Sequence, residues 1–376
     1  MRKIAFAAFL SFAVLDSIAQ DATTLYNEGV KLKDAKNITE ALNNFRKATM
    51  LDPDYTAAYY EMGWCQNDTK DYTGALVSLR KARKNWTSIP KVFFELGYAF
   101  HKLGQIDSAL ACYNKCLSLK SDYSNALKQL GYISYEKDKY DEALSYFSQY
   151  ETASKTPITD YLYWYRKGFM NNAQKNYDAA KIALLRSLEN KVDYENTYLE
   201  LGYACSRLKQ DNDAINYFNK AKDLNPSSHV AYNGIAEVYR DNKKDIDQAM
   251  SWYQKSLSVK ADERKACFGM GYCLNSKGRY SEALNYLKKA IEKEPTYTAA
   301  YVELGYSYYR TGDNSQAETS LKKALELNPK NENARYYLGL VYISQKNKSK
   351  AQQMVDELKN LNSKNAASLQ DKVNNM

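Results

Sequence analysis

The sequence predicts an all-α protein built as a solenoid of ten helix-turn-helix units. Three observations predict it. A 34-residue pattern recurs from position 22 almost to the C-terminus, and a glycine and an alanine hold fixed places within it. Helix breakers are otherwise scarce, with 15 Gly and 6 Pro in 376 residues. Apolar residues make up 44 %, enough for a continuous core.

The first 19 residues form a separate element. Arg2 and Lys3 precede an apolar run from Ile4 to Leu15, and the small residues Ser17 and Ala19 stand three and one places before Gln20. This is the layout of a secretory signal peptide cleaved before Gln20, and the run is too short to span a bilayer. An uncleaved N-terminal anchor is the alternative. No cysteine follows the run, so a lipoprotein anchor is not indicated, and no later segment approaches eighteen uninterrupted apolar residues. The mature chain is expected to be exported, without a transmembrane segment. In a Gram-negative bacterium that means the periplasm or the outer envelope.

The units begin at 22, 56, 90, 124, 161, 195, 229, 264, 298 and 332. Position 8 is glycine in nine of them (Gly29, Gly63, Gly97, Gly131, Gly168, Gly202, Gly271, Gly305, Gly339) and Ala236 in the seventh. Position 20 is alanine in all ten, from Ala41 to Ala351. Positions 1–14 and about 18–31 carry helical periodicity, and the polar turn between them often holds glycine, as at Gly104, Gly278 and Gly312. The small residues at 8 and 20 are expected where the two helices cross. Pro53, Pro226, Pro295 and Pro329 fall at position 32, where they end a unit. One hairpin cannot cover its own apolar face, so the units must stack. Three extra residues (158–160) precede the fifth unit, and one extra residue lies in the seventh near Lys243 and Lys244. The chain therefore divides into repeats 1–4 over 20–157, repeats 5–10 over 158–365, and a capping segment over 366–376 with Leu369 and Val373 on one face.

The spacing of small and apolar positions, as in YVELGYSYYRTGDNSQAETSLKKALELNPKN from Tyr301 to Asn331, resembles the tetratricopeptide repeat (TPR) family over about 22–365. The resemblance implies a right-handed superhelix and a non-catalytic scaffold. It also implies a concave groove lined by the first helix of each repeat, with positions 2, 5, 9, 12 and 13 facing inward.

Position 9 departs from the family, which commonly has asparagine there. Here it reads Val30, Trp64, Tyr98, Tyr132, Phe169, Tyr203, Glu237, Tyr272, Tyr306 and Leu340, seven aromatics of ten in a chain that is 13 % aromatic. Position 5 adds Tyr60, Phe94 and Tyr165, and position 12 adds Tyr135 and Tyr309. Tyrosine offers a wide apolar face and a hydroxyl at low entropic cost, which suits a peptide anchor, and its ring also stacks on sugars. Three readings stand: a protein or peptide site, a glycan site as the weaker alternative, and packing between repeats. In repeat 7 the stripe gives way to Asn233, Glu237, Arg240 and Asp241, which either orient a ligand or pair with one another. The family's carboxylate-gripping groove uses Lys and Asn at positions 5 and 9 of its first repeat. Tyr26 and Val30 stand there instead, so that use is not expected.

The net charge of +9 does not indicate nucleic acid. Position 26 is basic in eight repeats, including Lys47, Lys81 and Arg186, and it lies late in the second helix, where cations complement the helix C-terminus. An acidic protein or an anionic envelope surface stays open as a partner. The six cysteines (Cys65, Cys112, Cys116, Cys205, Cys267, Cys273) occupy core-type positions and read as filler. The two histidines, His101 and His229, lie in different repeats, so no metal site is expected. Phosphate-cradling loops, nucleophile elbows and His-Glu-x-x-His helices are missing, so neither an enzyme nor a cofactor is expected.

Overall fold

The computed structural model describes residues 20–376. The candidate signal peptide lies outside the described residues. Among the described residues all regular elements are helical, and no helix is long and apolar enough to cross a membrane. The residues fall into two compact units, one ending at Thr159 and the other running from Asp160 to Met376.

Within each unit the helices pair in chain order. First helices begin at the frame starts, as in Thr56–Asp68, Pro90–Lys102, Glu195–Arg207 and Thr298–Arg310. They span positions 1–13, one residue short of the periodicity, and second helices span 17–30, as in Tyr72–Asn85 and Asp211–Leu224, the expected length set one residue earlier. What ends the first helix is a left-handed residue at position 15. Gly104, Gly278 and Gly312 take φ of 73°, 75° and 87° there, and Lys36, Lys70, Asp138, Lys175, Lys209 and Lys346 take 55–66°. The following N–H then reaches back to the carbonyl at position 11 (Gln105 to Phe100, 2.9 Å; Asp313 to Tyr308, 2.9 Å), a Schellman stop that satisfies a carbonyl the helix leaves open.

The extra residue of repeat 7 is absorbed at this stop. The helix His229–Glu237 widens into a π-turn over Val238–Lys243, and Lys244 takes the left-handed φ of 58°. The N–H of Asp245 then returns to the carbonyl of Tyr239 at 2.9 Å, one residue further back than elsewhere.

All ten position-20 alanines are fully buried. The position-8 glycines face chiefly the side chain at position 24 of the second helix. A Cβ on Gly202 would lie 2.7 Å from the Phe218 ring, and one on Gly131 would lie 2.3 Å from the Phe147 ring. At Gly305 the contact is Leu321 at 2.5 Å, with the Ala317 carbonyl at 3.3 Å. The glycine thus receives a large side chain as well as letting two backbones approach. Phe218 is held from both sides, because a Cβ on Gly234 of the next repeat would also lie 2.5 Å from its ring. At the C-terminus, Leu369 of the helix Asn365–Asn374 fills the place against Gly339. All six cysteines are unpaired; five are buried and Cys112 is half-buried.

Gly202→Ala tests this packing. The substitution improves helix propensity by about 1 kcal/mol, yet it sets a Cβ 2.7 Å from a Phe218 ring that Gly234 backs. A net loss of about 1–3 kcal/mol is expected in urea unfolding followed by circular dichroism. An unchanged or raised midpoint would show that the ring moves aside.

Candidate functional site

The position-5 and position-9 rings have different surroundings. Position-5 rings pack at the seam with the following repeat: Phe94 lies 5.3 Å from Tyr123, Tyr165 lies 5.2 Å from Tyr194, and Phe268 lies 4.9 Å from Tyr297. Tyr60 is 6 % exposed, covered by Trp86 and by Lys91 at 4.0 Å from its ring. Tyr60 is buried, while Phe94, Tyr165 and Phe268 are half-buried against the core.

Position-9 rings are more open. Tyr203 and Tyr272 are 42 % and 38 % exposed, and Trp64, Tyr98, Tyr132, Phe169 and Tyr306 are half-buried. Three of them repeat one arrangement. Tyr98, Tyr203 and Tyr306 meet, edge-on, a tyrosine that opens the second helix of the preceding repeat: Tyr72 at 6.3 Å, Tyr177 at 6.0 Å and Tyr280 at 5.8 Å. A cation one turn along the first helix lies over the pair. Lys102 sits 5.3 Å from the Tyr98 ring, Arg207 5.8 Å from Tyr177, and Arg310 4.4 Å from Tyr280 while donating to Tyr306 Oη at 2.7 Å. Position 17 carried no weight in the sequence reading, so these triads were missed; a tyrosine at 17 followed by one at 9 was their signal. Tyr132 lies edge-on to Phe147 at 5.4 Å, Tyr135 lies 6.1 Å from Tyr140, and Tyr309 packs on the C-terminal core.

A second set of contacts ties each repeat to the next. A position-12 side chain reaches the position-6 glutamate 28 residues later. Asn67 donates to the carbonyl and carboxylate of Glu95 (3.1 and 2.7 Å), Asn172 to those of Glu200 (3.0 and 2.7 Å), and Asn275 to those of Glu303 (3.1 and 2.9 Å). Lys33 makes the equivalent bridge to Glu61 at 2.5 Å. Burial raises the carboxyls of Glu95, Glu200 and Glu303 above their ordinary range, against the pull of the asparagine hydrogen bonds, and Glu95 reaches about 7.

Repeat 7 has Gly234 at the position where repeats 2, 3, 6 and 9 carry that glutamate, and a cavity of about 410 Å³ lies beside it. First helices of repeats 5, 6 and 7 supply Phe169, Asn172, Leu199, Glu200, Tyr203, Val230, Asn233 and Glu237. Phe218 and the start of repeat 8, with Glu263 and Lys265, complete the lining. Phe169, Tyr203 and Glu237 are thus brought together, while Arg240 is not among them. Its guanidinium grips Asp241 at 2.6 and 2.7 Å, donates to Tyr253 Oη at 2.8 Å and covers the Tyr272 ring at 5.6 Å. In the first unit a smaller cavity of about 240 Å³ joins Trp64, Phe94 and Tyr98 to Asn67 and Glu95. Among the described residues no three carboxylates, thiols or imidazoles converge to hold a metal ion.

Profiles described as tetratricopeptide repeat match residues 26–88, 90–123, 195–228, 229–263 and 274–323, and one described as TPR repeat matches 305–346. The uncharacterized protein ycf37 of Pyropia yezoensis is 32 % identical over 94 residues, which is 25 % of this chain and 49 % of that protein. The chain therefore spans about half the length of the curated relative it matches. Two solved structures share the fold at low identity. A chain of the APC/C hetero-tetramer Cut9-Hcn1 gives a TM-score of 0.52 at 14 % identity, covering 99 % of this chain and 94 % of that one. PilW, a type IV pilus biogenesis factor, gives 0.51 at 16 %, covering 57 % and 99 %. The chain belongs to the tetratricopeptide repeat family, whose members are generally non-catalytic protein-interaction scaffolds.

Glu95 gives this site a pH signature. Its carboxyl holds a proton up to about pH 7 in the fold but ionises near the ordinary 4.5 when unfolded, so the folded state binds the proton more tightly. That stabilisation is complete below about pH 4.5 and is lost as pH rises through 7, by roughly 3 kcal/mol at most. Glu95→Gln keeps an acceptor for Asn67 and removes the titration. It is expected to raise the melting temperature at pH 8 and leave it nearly unchanged at pH 4.5; equal effects at both would refute the assignment.

Proposed function

We propose that this tetratricopeptide repeat chain is an exported, non-catalytic scaffold that holds a protein or peptide partner on the aromatic first-helix face, within a cell-envelope complex. The observation that carries the reading is the exposure of the position-9 rings. Tyr203 and Tyr272 keep about two fifths of their surface in solvent, in a family whose members bind partners, while no position-5 ring is as exposed. A large apolar ring left open beside a cavity gains about 25 cal/mol for each Å² that a partner covers. Export rests on the basic start, apolar run and small residues of positions 1–19.

Two measurements test the two halves. A photo-crosslinking residue at position 203 or 272, in cells that make the protein, is expected to capture a discrete protein that a crosslinker at Lys220 does not. Sugar-dependent quenching of tyrosine fluorescence with no captured protein would favour a glycan ligand instead. Mass spectrometry of the mature chain is expected to find Gln20 at the N-terminus; a chain retaining Met1 would refute cleavage.

A further inference from the structure

We propose that the cavity between the first helices of repeats 5, 6 and 7 receives an arginine side chain of the partner. Its guanidinium would be held by Glu237 and the acceptors around it, and its stem would lie along Phe169 and Tyr203. The inference rests on the scaffold reading only in taking the partner to be a polypeptide, and it adds which side chain anchors there.

The cavity is rich in acceptors that the protein leaves unused. Glu237 makes no hydrogen bond or ion pair with any described residue, although it stands among Phe169, Leu199, Tyr203 and Val230. Burial penalises its charge by more than the nearby cations Lys265 and Arg240, neither in contact with it, favour it. Asn172 and Asn233 are each 4 % exposed and line the same cavity. Their amide groups donate to Glu200 and Glu263 (both 2.7 Å), but neither Oδ1 accepts a hydrogen bond. Buried carbonyl oxygens are seldom left in that state. At one other bridge the frame supplies an internal donor, where Ser307 at position 10 of repeat 9 donates to Asn275 Oδ1 at 2.7 Å, while Asn67, opposite Ala99, is orphaned like Asn172. Repeat 6 has Ala204 at that position, so Asn172 receives nothing.

The three carboxylates of the lining, Glu200, Glu237 and Glu263, call for a ligand that donates several hydrogen bonds and accepts none. A guanidinium has five N–H donors in a planar fork, no acceptor, and a face that stacks on aromatic rings. An ammonium offers only three donors, and it holds its water more strongly. The space is enough for one long side chain, and the apolar wall suits an alkyl stem. Lys175 and Lys265 are exposed at the edge of the cavity. They disfavour a run of cations and select an arginine flanked by neutral or acidic residues.

The test is calorimetric titration of the purified mature protein with three capped tripeptides, Ac-Ala-Arg-Ala-NH2 and its lysine and citrulline counterparts. Citrulline keeps the shape and loses the charge. Binding of the arginine peptide at least tenfold tighter than the citrulline peptide is expected, with lysine between them. Glu237→Gln should weaken the arginine peptide about tenfold without lowering the melting temperature, because it removes a charge that burial penalises; Glu189→Gln, at an exposed glutamate on the second helix of repeat 5 outside the cavity, should leave the affinity unchanged. Equal binding of arginine and citrulline, or an arginine affinity untouched by Glu237→Gln, would overturn the proposal. Should position 203 capture a partner while the peptides show no arginine preference, this inference falls and the scaffold stands. An arginine preference with no captured partner leaves the pocket standing and removes the scaffold.

Discussion

The architecture depends on a large side chain at position 24 resting where position 8 has no Cβ. That contact sets the distance between the two helices of a repeat, and Phe147, Phe218 and Leu321 all use it. A mid-helix glycine costs about 1 kcal/mol against alanine, while burying a phenylalanine or leucine side chain contributes about 1.5–3 kcal/mol. The exchange is favourable in the eight repeats where the two positions meet. With that distance fixed, side chains at 12 and 6 meet in the same way at four seams and those at 17 and 9 at three.

Much of the fold was legible because its determinants are local and periodic. Gly305 and Ala317 lie twelve residues apart in one unit, and the frame starts coincide with helix starts. The glycine's chief partner was less legible: alanine at 20 is invariant and draws attention, while position 24 varies among Phe, Tyr, Leu and Val. The extra residue of repeat 7 was visible as a count, but its π-turn was not, since no residue type marks where a helix widens.

The candidate face was legible in composition and hidden in its contacts. Aromatic character at position 9 can be read from the sequence, yet the partner of Tyr203 is Tyr177, in another repeat and on another helix. The bridge from Asn172 to Glu200 spans 28 residues and joins two residues that each look like ordinary surface polars. The cavity lies beside Gly234, at a position where four other repeats carry that glutamate, and the absence is visible only once the pairing is known. Reading positions 6 and 12 together across repeats was the signal that could have found it.

The π-turn at Val238–Lys243 also bears on how such an array tolerates a change in length. Each α-helical residue turns the chain by about 100°, so one codon inserted in mid-helix would point every later side chain of that helix away from its neighbour. Placed at the stop between two helices, the same codon is taken up by one wider turn. The count resumes at once: Asn275 still finds Glu303, and Tyr280 still finds Tyr306. The interhelix stop therefore acts as an expansion joint, the place in each repeat where the gene can gain a residue and leave the register downstream intact.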